Sequence, residues 1–362
     1  MNRYFFYLIA TNMLVNVIVW VPKILLAERF DGAVMAIPIG VLIGTIFLFL
    51  FVSAINKFPN LGIPEILEQT PGLFRFSFLF LFSVMWFLAG VITLLSFVDH
   101  LVEFVNPEMP SLALVILFLF LVIIVLRYSD ASKLLYALEI LLVLNVPLIL
   151  IIMYQAYTNE YLTMDSIFEV GTHLFEIPSW SAISSVTYIF SGYANMVIFN
   201  RVFNKKISMK LLAVIPFVAI GNLLTSFFIP IGLWGADGVG ELAYPWTSTA
   251  DTLSIEYGPV ERVITVFILL YVSITTMSIL IHWYVALEMI KSMFNIKRAG
   301  KIKKFVTNWA ALLSFGIASI ILETMTTNKS IGQLSEIWLD IRFPFEAVLV
   351  VFMFFLARRK KA

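Results

Sequence analysis

Asn12 and Asn16 stand one helical turn apart inside an apolar run, and an amide placed in hydrocarbon must find a partner. A denser polar stretch comprises Ser181, Ser184, Ser185, Thr187, Tyr188, Ser191, Gly192, Tyr193 and Asn195. Ser184, Thr187, Ser191 and Asn195 follow an i, i+3, i+7, i+11 stripe, which predicts one helix face turned into a bundle. Near the middle of this stretch stands Phe190-Ser191-Gly192-Tyr193. There Gly lowers the cost of unwinding and Ser can replace a missing backbone partner. A helix break at that point turns amide and carbonyl dipoles toward a ligand, which is binding chemistry. Packing competes with that reading: interhelical hydrogen bonds for the two asparagines, close approach of small residues for the glycine.

Other polar groups sit at single positions. Trp86 and Gly90, with Thr93 and Ser96, fall in one apolar segment; Tyr271 and Thr275, with Ser273, Thr276 and Ser278, fall in another. Glu346 lies near mid-depth of the last segment, and Arg342 four residues earlier is placed to pair with it, either as a neutralised structural pair or as an ion-coupling group. Glu139 follows Lys133 by six residues, roughly 9 Å at helical rise, and reaches an interface. His100, His173 and His282 are scattered, and there is no Cys. No H-E-x-x-H, G-x-S-x-G or Walker A pattern occurs. The chain is therefore expected to be no enzyme, with no metal and no cofactor.

The elements that must position these groups follow from hydropathy. Of the 362 residues 61% are apolar and 13% charged, and the mean hydropathy is +0.97. Runs such as 41–52 and 112–126 are continuously apolar rather than alternating, so they read as helices and not as barrel strands. The expected fold is all-α and integral to the membrane, a single polytopic domain over residues 1–362. Ten spans are placed at about 4–22, 33–55, 76–98, 111–127, 134–154, 180–199, 211–234, 263–287, 305–323 and 337–356. The first follows a lone Arg3, lacks a small-x-small cleavage site and is read as a permanent span. Two long loops, 155–179 and 235–262, join spans five and six and spans seven and eight; in the second, Thr247 is placed to cap a short helix to about Ile255. Ten spans divide as five plus five, and an odd number per half permits inverted repeats, here about 4–154 and 180–356, with broken helices 1 and 6.

Charge sorts the loops. With both termini cytoplasmic, the inner pieces hold 19 of the 24 basic residues and 5 of the 23 acids, a balance of +14 inside and −13 outside. The net charge of +1 gives no support to nucleic-acid binding.

With these segments laid out, the chain resembles the spore germination permease-like family, the B subunits of nutrient germinant receptors within the amino acid/polyamine/organocation superfamily. The resemblance runs over essentially the whole chain. It rests on Phe58-Pro59-Asn60-Leu61-Gly62-Ile63-Pro64-Glu65-Ile66-Leu67 after span two, on Phe190-Ser191-Gly192-Tyr193 in span six, and on Tyr244-Pro245 and Glu261-Arg262 around span eight. Arg342-Phe343-Pro344 leads into a last span with a basic tail. The chain departs from the family pattern at Ala194, where relatives carry Glu, and at Val15 and Val17, where they carry small residues. The resemblance implies a five-plus-five inverted-repeat fold with a pocket between spans one, three, six and eight. The candidate ligand-binding residues are then Asn12, Asn16, Trp86, Gly90, Ser184, Thr187, Phe190, Ser191, Gly192, Tyr193, Tyr271 and Thr275. It also implies a small nutrient ligand, commonly an amino acid, and a complex with a larger A subunit and a lipoprotein C subunit in the spore inner membrane. An amino-acid permease is the alternative; against coupled transport, span five has only Asn145 and Pro147 as mid-span breaks.

Overall fold

The computed structural model describes residues 3–16, 18, 20–255, 261–294 and 301–359. Its helices in chain order are α1 (Arg3–Asn16), α2 (Trp20–Ala27), α3 (Ala33–Ile55), α4 (Ile63–Ile66), α5 (Gly72–Phe104), α6 (Ser111–Tyr128), α7 (Ala131–Tyr157) and α8 (Met164–Gly171). Then follow α9 (Trp180–Tyr188), α10 (Met196–Phe199), α11 (Met209–Leu212), α12 (Val214–Trp234), α13 (Pro245–Thr252), α14 (Val263–Met293), α15 (Lys301–Met325) and α16 (Asn328–Arg359). Among the described residues seven helices are long and apolar enough to cross a membrane, or nine when each bent pair counts as one span. Those pairs are α1 with α2, bent by 50°, and α9 with the 191–202 segment, bent by 59°. Val17, one of the two departures in the first span, lies outside the described residues.

Caps and glycines set the joints. Asp130 accepts a hydrogen bond from the Lys133 amide at the start of α7, and the Ser179 hydroxyl accepts from Ala182 at the start of α9. Gly32 has φ +93° where the chain enters α3, and a Cβ there would lie 2.6 Å from the Ile177 carbonyl oxygen, so the turn admits only glycine.

Several boundaries differ from the hydropathy reading. α5 runs from Gly72 to Phe104, well past 76–98, because no residue within 72–104 breaks a helix. α16 begins at Asn328 rather than 337 and passes unbroken through Pro344; its first turns carry Glu336 and Asp340 and so fall below a hydropathy threshold. The 155–179 connection contains α8. The short helix in the next long loop is Pro245–Thr252, three residues earlier than a Thr247 cap would give, with Pro245 at its first position.

Side-chain contacts sort the connections into two ends. At one, Arg201 reaches Glu65 at 3.0 Å and Glu288 at 2.7 Å, Lys57 donates to the Ala357 carbonyl, and Arg3 pairs with Glu139 at 2.9 Å. At the other, Ser179 donates to Glu28 at 2.8 Å, Arg29 bonds the Ala236 carbonyl, and Tyr244 bonds Asp99. We refer to these as the basic end and the acidic end. Between them α5 and α14 pack along much of their length, with Trp283 pressed against Gly90. Phe5, Leu8, Phe51, Phe190, Phe199 and Phe227 are fully buried in the main core.

Candidate functional site

The bend in the sixth segment has a chemical cause. After Tyr188 the chain tightens into a 3₁₀ turn over Ser191–Asn195, which frees carbonyls that an α-helix would have satisfied. Asn12 of α1 supplies the missing donor: its Nδ2 lies 2.6 Å from the Tyr188 carbonyl and 3.4 Å from that of Ile189. Asn16 in turn donates to the Asn12 carbonyl at 2.7 Å, at the end of α1. Asn12 thus holds two broken helices against each other, and Asn16 closes the end of α1 behind it.

Facing the bend, α16 brings its charged residues inward. Arg342 is 6% exposed and Glu346 5%, and they are paired. Arg342 Nη1 also donates to the Ser191 hydroxyl at 2.9 Å, and Nη2 to Thr187 Oγ1 at 3.1 Å and to the Ser184 carbonyl. Ser191 donates to Glu346 Oε2 at 2.7 Å. Two residues before Arg342 on α16, Asp340 accepts from Ser181 at 2.7 Å and Ser184 at 2.8 Å. A guanidinium buried this way needs its partner and its hydrogen bonds together, since its desolvation otherwise outweighs the attraction. The Ser184–Thr187–Ser191 stripe is therefore the docking face for α16.

Beside this cluster lies a cavity of about 50 Å³. Its walls come from five elements: Asn12 of α1; Met85, Trp86 and Ala89 of α5; Tyr188, Ser191, Ala194 and Asn195 around the bend; His282 of α14; and Trp338, Arg342 and Glu346 of α16. Trp86 Nε1 donates to Asn195 Oδ1 at 2.8 Å, and His282 Nδ1 lies 2.8 Å from the Ser278 carbonyl. The volume suits a few waters; a drug-sized ligand needs roughly 300 Å³ or more. Toward the acidic end a second space of about 270 Å³ is lined by Trp20, Lys23, Glu28, Gln333 and Glu336. Ile24, Tyr188 and Trp338 pack together in the cluster between the two spaces. Burial pushes the Glu28 carboxyl up from its ordinary range, against the hydrogen bond from Ser179. A further cavity of about 280 Å³ among α7, α12 and α14 contains no charged side chain.

Of the residues singled out from sequence, the structure gathers Asn12, Trp86, Ser191, Arg342 and Glu346 at the cavity. Asn16, Ser184 and Thr187 support it from behind. The remainder pack elsewhere. Phe190 lies against Gly44 of α3, and Tyr193 stacks with Phe51 at 5.0 Å. Gly192 is a contact glycine, because a Cβ there would stand 2.5 Å from the Leu8 carbonyl oxygen and 2.6 Å from Ile9 Cα. Gly90 makes room for the Trp283 ring. Tyr271 belongs to a separate aromatic group with Phe97 and His100, and Thr275 is fully buried. Sequence reasoning did not single out His282, Trp338 or Asn195 as site residues. Asn195 was signalled by its place on the polar stripe; His282 and Trp338 are lone residues on long helices and carried no signal.

Among the described residues no group of three or more His, Cys, Asp or Glu side chains is placed to hold a metal. No family model and no curated protein matches this chain.

Proposed function

We propose that this chain is a multi-pass membrane protein of ten spans, with α16 as the tenth, arranged as two inverted five-span halves, and that it senses a small solute as the membrane subunit of a spore nutrient-germinant receptor. The observation that carries the binding reading is the small cavity at the bend of the sixth segment, where two broken helices meet a buried Arg342–Glu346 pair. Discontinuous helices near the midplane are where membrane carriers place solute sites. Sensing is favoured over carriage because Glu346 already accepts from Arg342 and Ser191, and span five (α7) carries Asn145 and no Lys or Asp at mid-span. In this reading ligand entry parts the wall of Tyr188 and Trp338 and shifts the balance between two conformations by the difference in affinity for them. An A subunit and a lipoprotein C subunit would carry that change onward from the spore inner membrane, with both termini cytoplasmic.

The deciding experiment has two arms. Thermal stabilisation of the purified chain, screened over amino acids, sugars and nucleosides, should find a ligand. The same ligand in liposomes with an imposed proton gradient should bind without being accumulated. Saturable, gradient-driven accumulation lost in Glu346→Gln would establish the permease instead.

A further inference from the structure

α7 and α12 are both long and apolar enough to cross a membrane, yet they make little direct contact. α7 packs on α1 and α14, while α12 packs on α3, α8 and α13. Among the described residues a single side-chain bond ties the two, between the Tyr157 hydroxyl and Thr225 Oγ1 at 2.8 Å. The cavity of about 280 Å³ lies in the gap so left. Ile149 and Met153 form one wall, Val218 and Gly221 the other, with Phe267 and Leu270 of α14 behind. Val218 is exposed, as are Leu150 and Phe217 close by on the two helices, so the gap opens sideways onto the face that bilayer hydrocarbon bathes.

One lining residue does not suit hydrocarbon. Asn222 is the ninth of the 21 residues of α12, which places it near mid-depth. Its side chain makes no hydrogen bond to any described residue. Nor is its amide among the sealed, unpartnered groups of the interior, so it borders open space. The neighbouring hydroxyls are already engaged, Thr225 with Tyr157 and Ser226 with the Leu223 carbonyl. An amide in a membrane span ordinarily bonds across to the next helix. Here α7 offers only Ile and Met side chains to the gap. An amide left bare at that depth is costly.

These features specify an occupant. No charged side chain lines the gap, so a charged molecule would lose its water without compensation. The walls call for a hydrocarbon body. An apolar cavity of about 150 Å³ takes up benzene, and by proportion this one takes roughly ten non-hydrogen atoms. Asn222 calls for one group that gives or accepts a hydrogen bond. The ester groups of a phospholipid stay outside a hydrocarbon core ~30 Å thick and do not reach mid-depth.

We infer that the gap between α7 and α12 binds a small uncharged amphiphile, a hydrocarbon chain or ring bearing one hydroxyl or carbonyl, which enters sideways from the bilayer. Leu14 and Ile18 also line the gap, so the bound molecule rests on the joint between α1 and α2. The inference is independent of the cavity at the bend.

The test uses the full-length chain in phospholipid vesicles, with a photoreactive diazirine analogue of 1-octanol as probe and peptide mass spectrometry as readout. Saturable adducts within 149–153, 218–226 or 267–270, displaced by excess 1-octanol, are the expected result. n-Octane, which has no hydrogen-bonding group, should compete about threefold less well or worse at equal membrane concentration. Asn222→Leu should abolish that difference. Gly221→Phe should block the labelling, because a Cβ on Gly221 meets nothing within 4 Å and the ring has the gap to fill. Val218→Trp is a second filling variant, and the melting temperature of each variant is the control for folding. Adducts that do not saturate and scatter over lipid-facing helices would mean that bilayer acyl chains merely fill the gap, which overturns the inference. Undiminished saturable labelling in both filling variants overturns it too. So does equal competition by octane and octanol in the wild type, or an advantage of octanol that survives Asn222→Leu.

Discussion

Replacing Gly192 by Ala tests the joint that holds the site open. The added Cβ would meet backbone, the Leu8 carbonyl oxygen at 2.5 Å and Ile9 Cα at 2.6 Å, and backbone cannot swing aside as a side chain can. Ordinary carbon contacts are about 3.5–4.0 Å, so α1 must retreat from the 191–195 turn by about 1 Å. Overpacking of this kind costs about 1–3 kcal/mol. The same retreat pulls Asn12 from the Tyr188 carbonyl, a 2.6 Å bond that caps the bend, for about 1 kcal/mol more. The sum is about 2–4 kcal/mol. At roughly 2 °C per kcal/mol for a large domain this lowers the melting temperature by about 4–8 °C. The assay is thermal unfolding followed by size-exclusion of the detergent-solubilised chain, with Gly221→Ala as the control, since a Cβ on Gly221 meets nothing within 4 Å. A Gly192→Ala melting temperature within about 1 °C of wild type would refute the reasoning, because the close approach of α1 could not then be real. Gly192→Leu should go further and abolish ligand response while the chain still inserts.

Glu346→Gln leaves the Arg342 charge buried without its counter-ion and should cost about 3–5 kcal/mol, whereas Arg342→Met with Glu346→Leu should recover most of that loss; equal damage in the single and double variants would show the pair is not coupled. Cysteines introduced at Asn159 and Val239 should react with an impermeant maleimide from outside the cell and one at Asn204 should not, with no native Cys to interfere; labelling at Asn204 in intact cells would sink the ten-span topology. Arg201→Ala removes the tie between Glu65 and Glu288 and should raise protease access at the basic end, or maleimide access to a Cys introduced there, and unchanged access would mean the ion pairs do not close it.

What could be read from the sequence was what depends on local composition. The long apolar helices, the interruption at Ser191-Gly192 and the stripe at Ser184, Thr187 and Ser191 follow from residue type and helical spacing, whereas the break in the first segment was expected only from the architecture that ten spans permit. The start of α16 was not legible, because Glu336 and Asp340 lower hydropathy while the partners of Asp340, Ser181 and Ser184, lie more than 150 residues away. The same distance hid the meaning of the glycines. Gly192 and Gly90 look like points of weakness in a helix, yet each is a surface on which Leu8 or Trp283 rests. Asn12 signalled a polar role, but the choice between ligand and carbonyl cap depends on where Tyr188 falls, which spacing alone does not carry.

The two halves of the bent sixth segment are held by different neighbours. α9 lies on α3 where Gly40 meets Val186 and Gly44 meets Phe190, a smooth apolar contact, and it is bonded to α16 through Asp340 and Arg342. Past the bend, the chain is anchored at Arg201 by two carboxylates. A change of angle at Ser191 therefore meets stiff resistance on one side and little on the other. Displacement begun at the cavity should travel with α9 and the Asp340 end of α16, sliding over the glycines of α3, and emerge at the acidic end, while the basic end, where Lys57 holds the Ala357 carbonyl of α16, stays still. The sixth segment works as a lever with a fixed foot, and a partner that reads its motion would have to grip it at the free end.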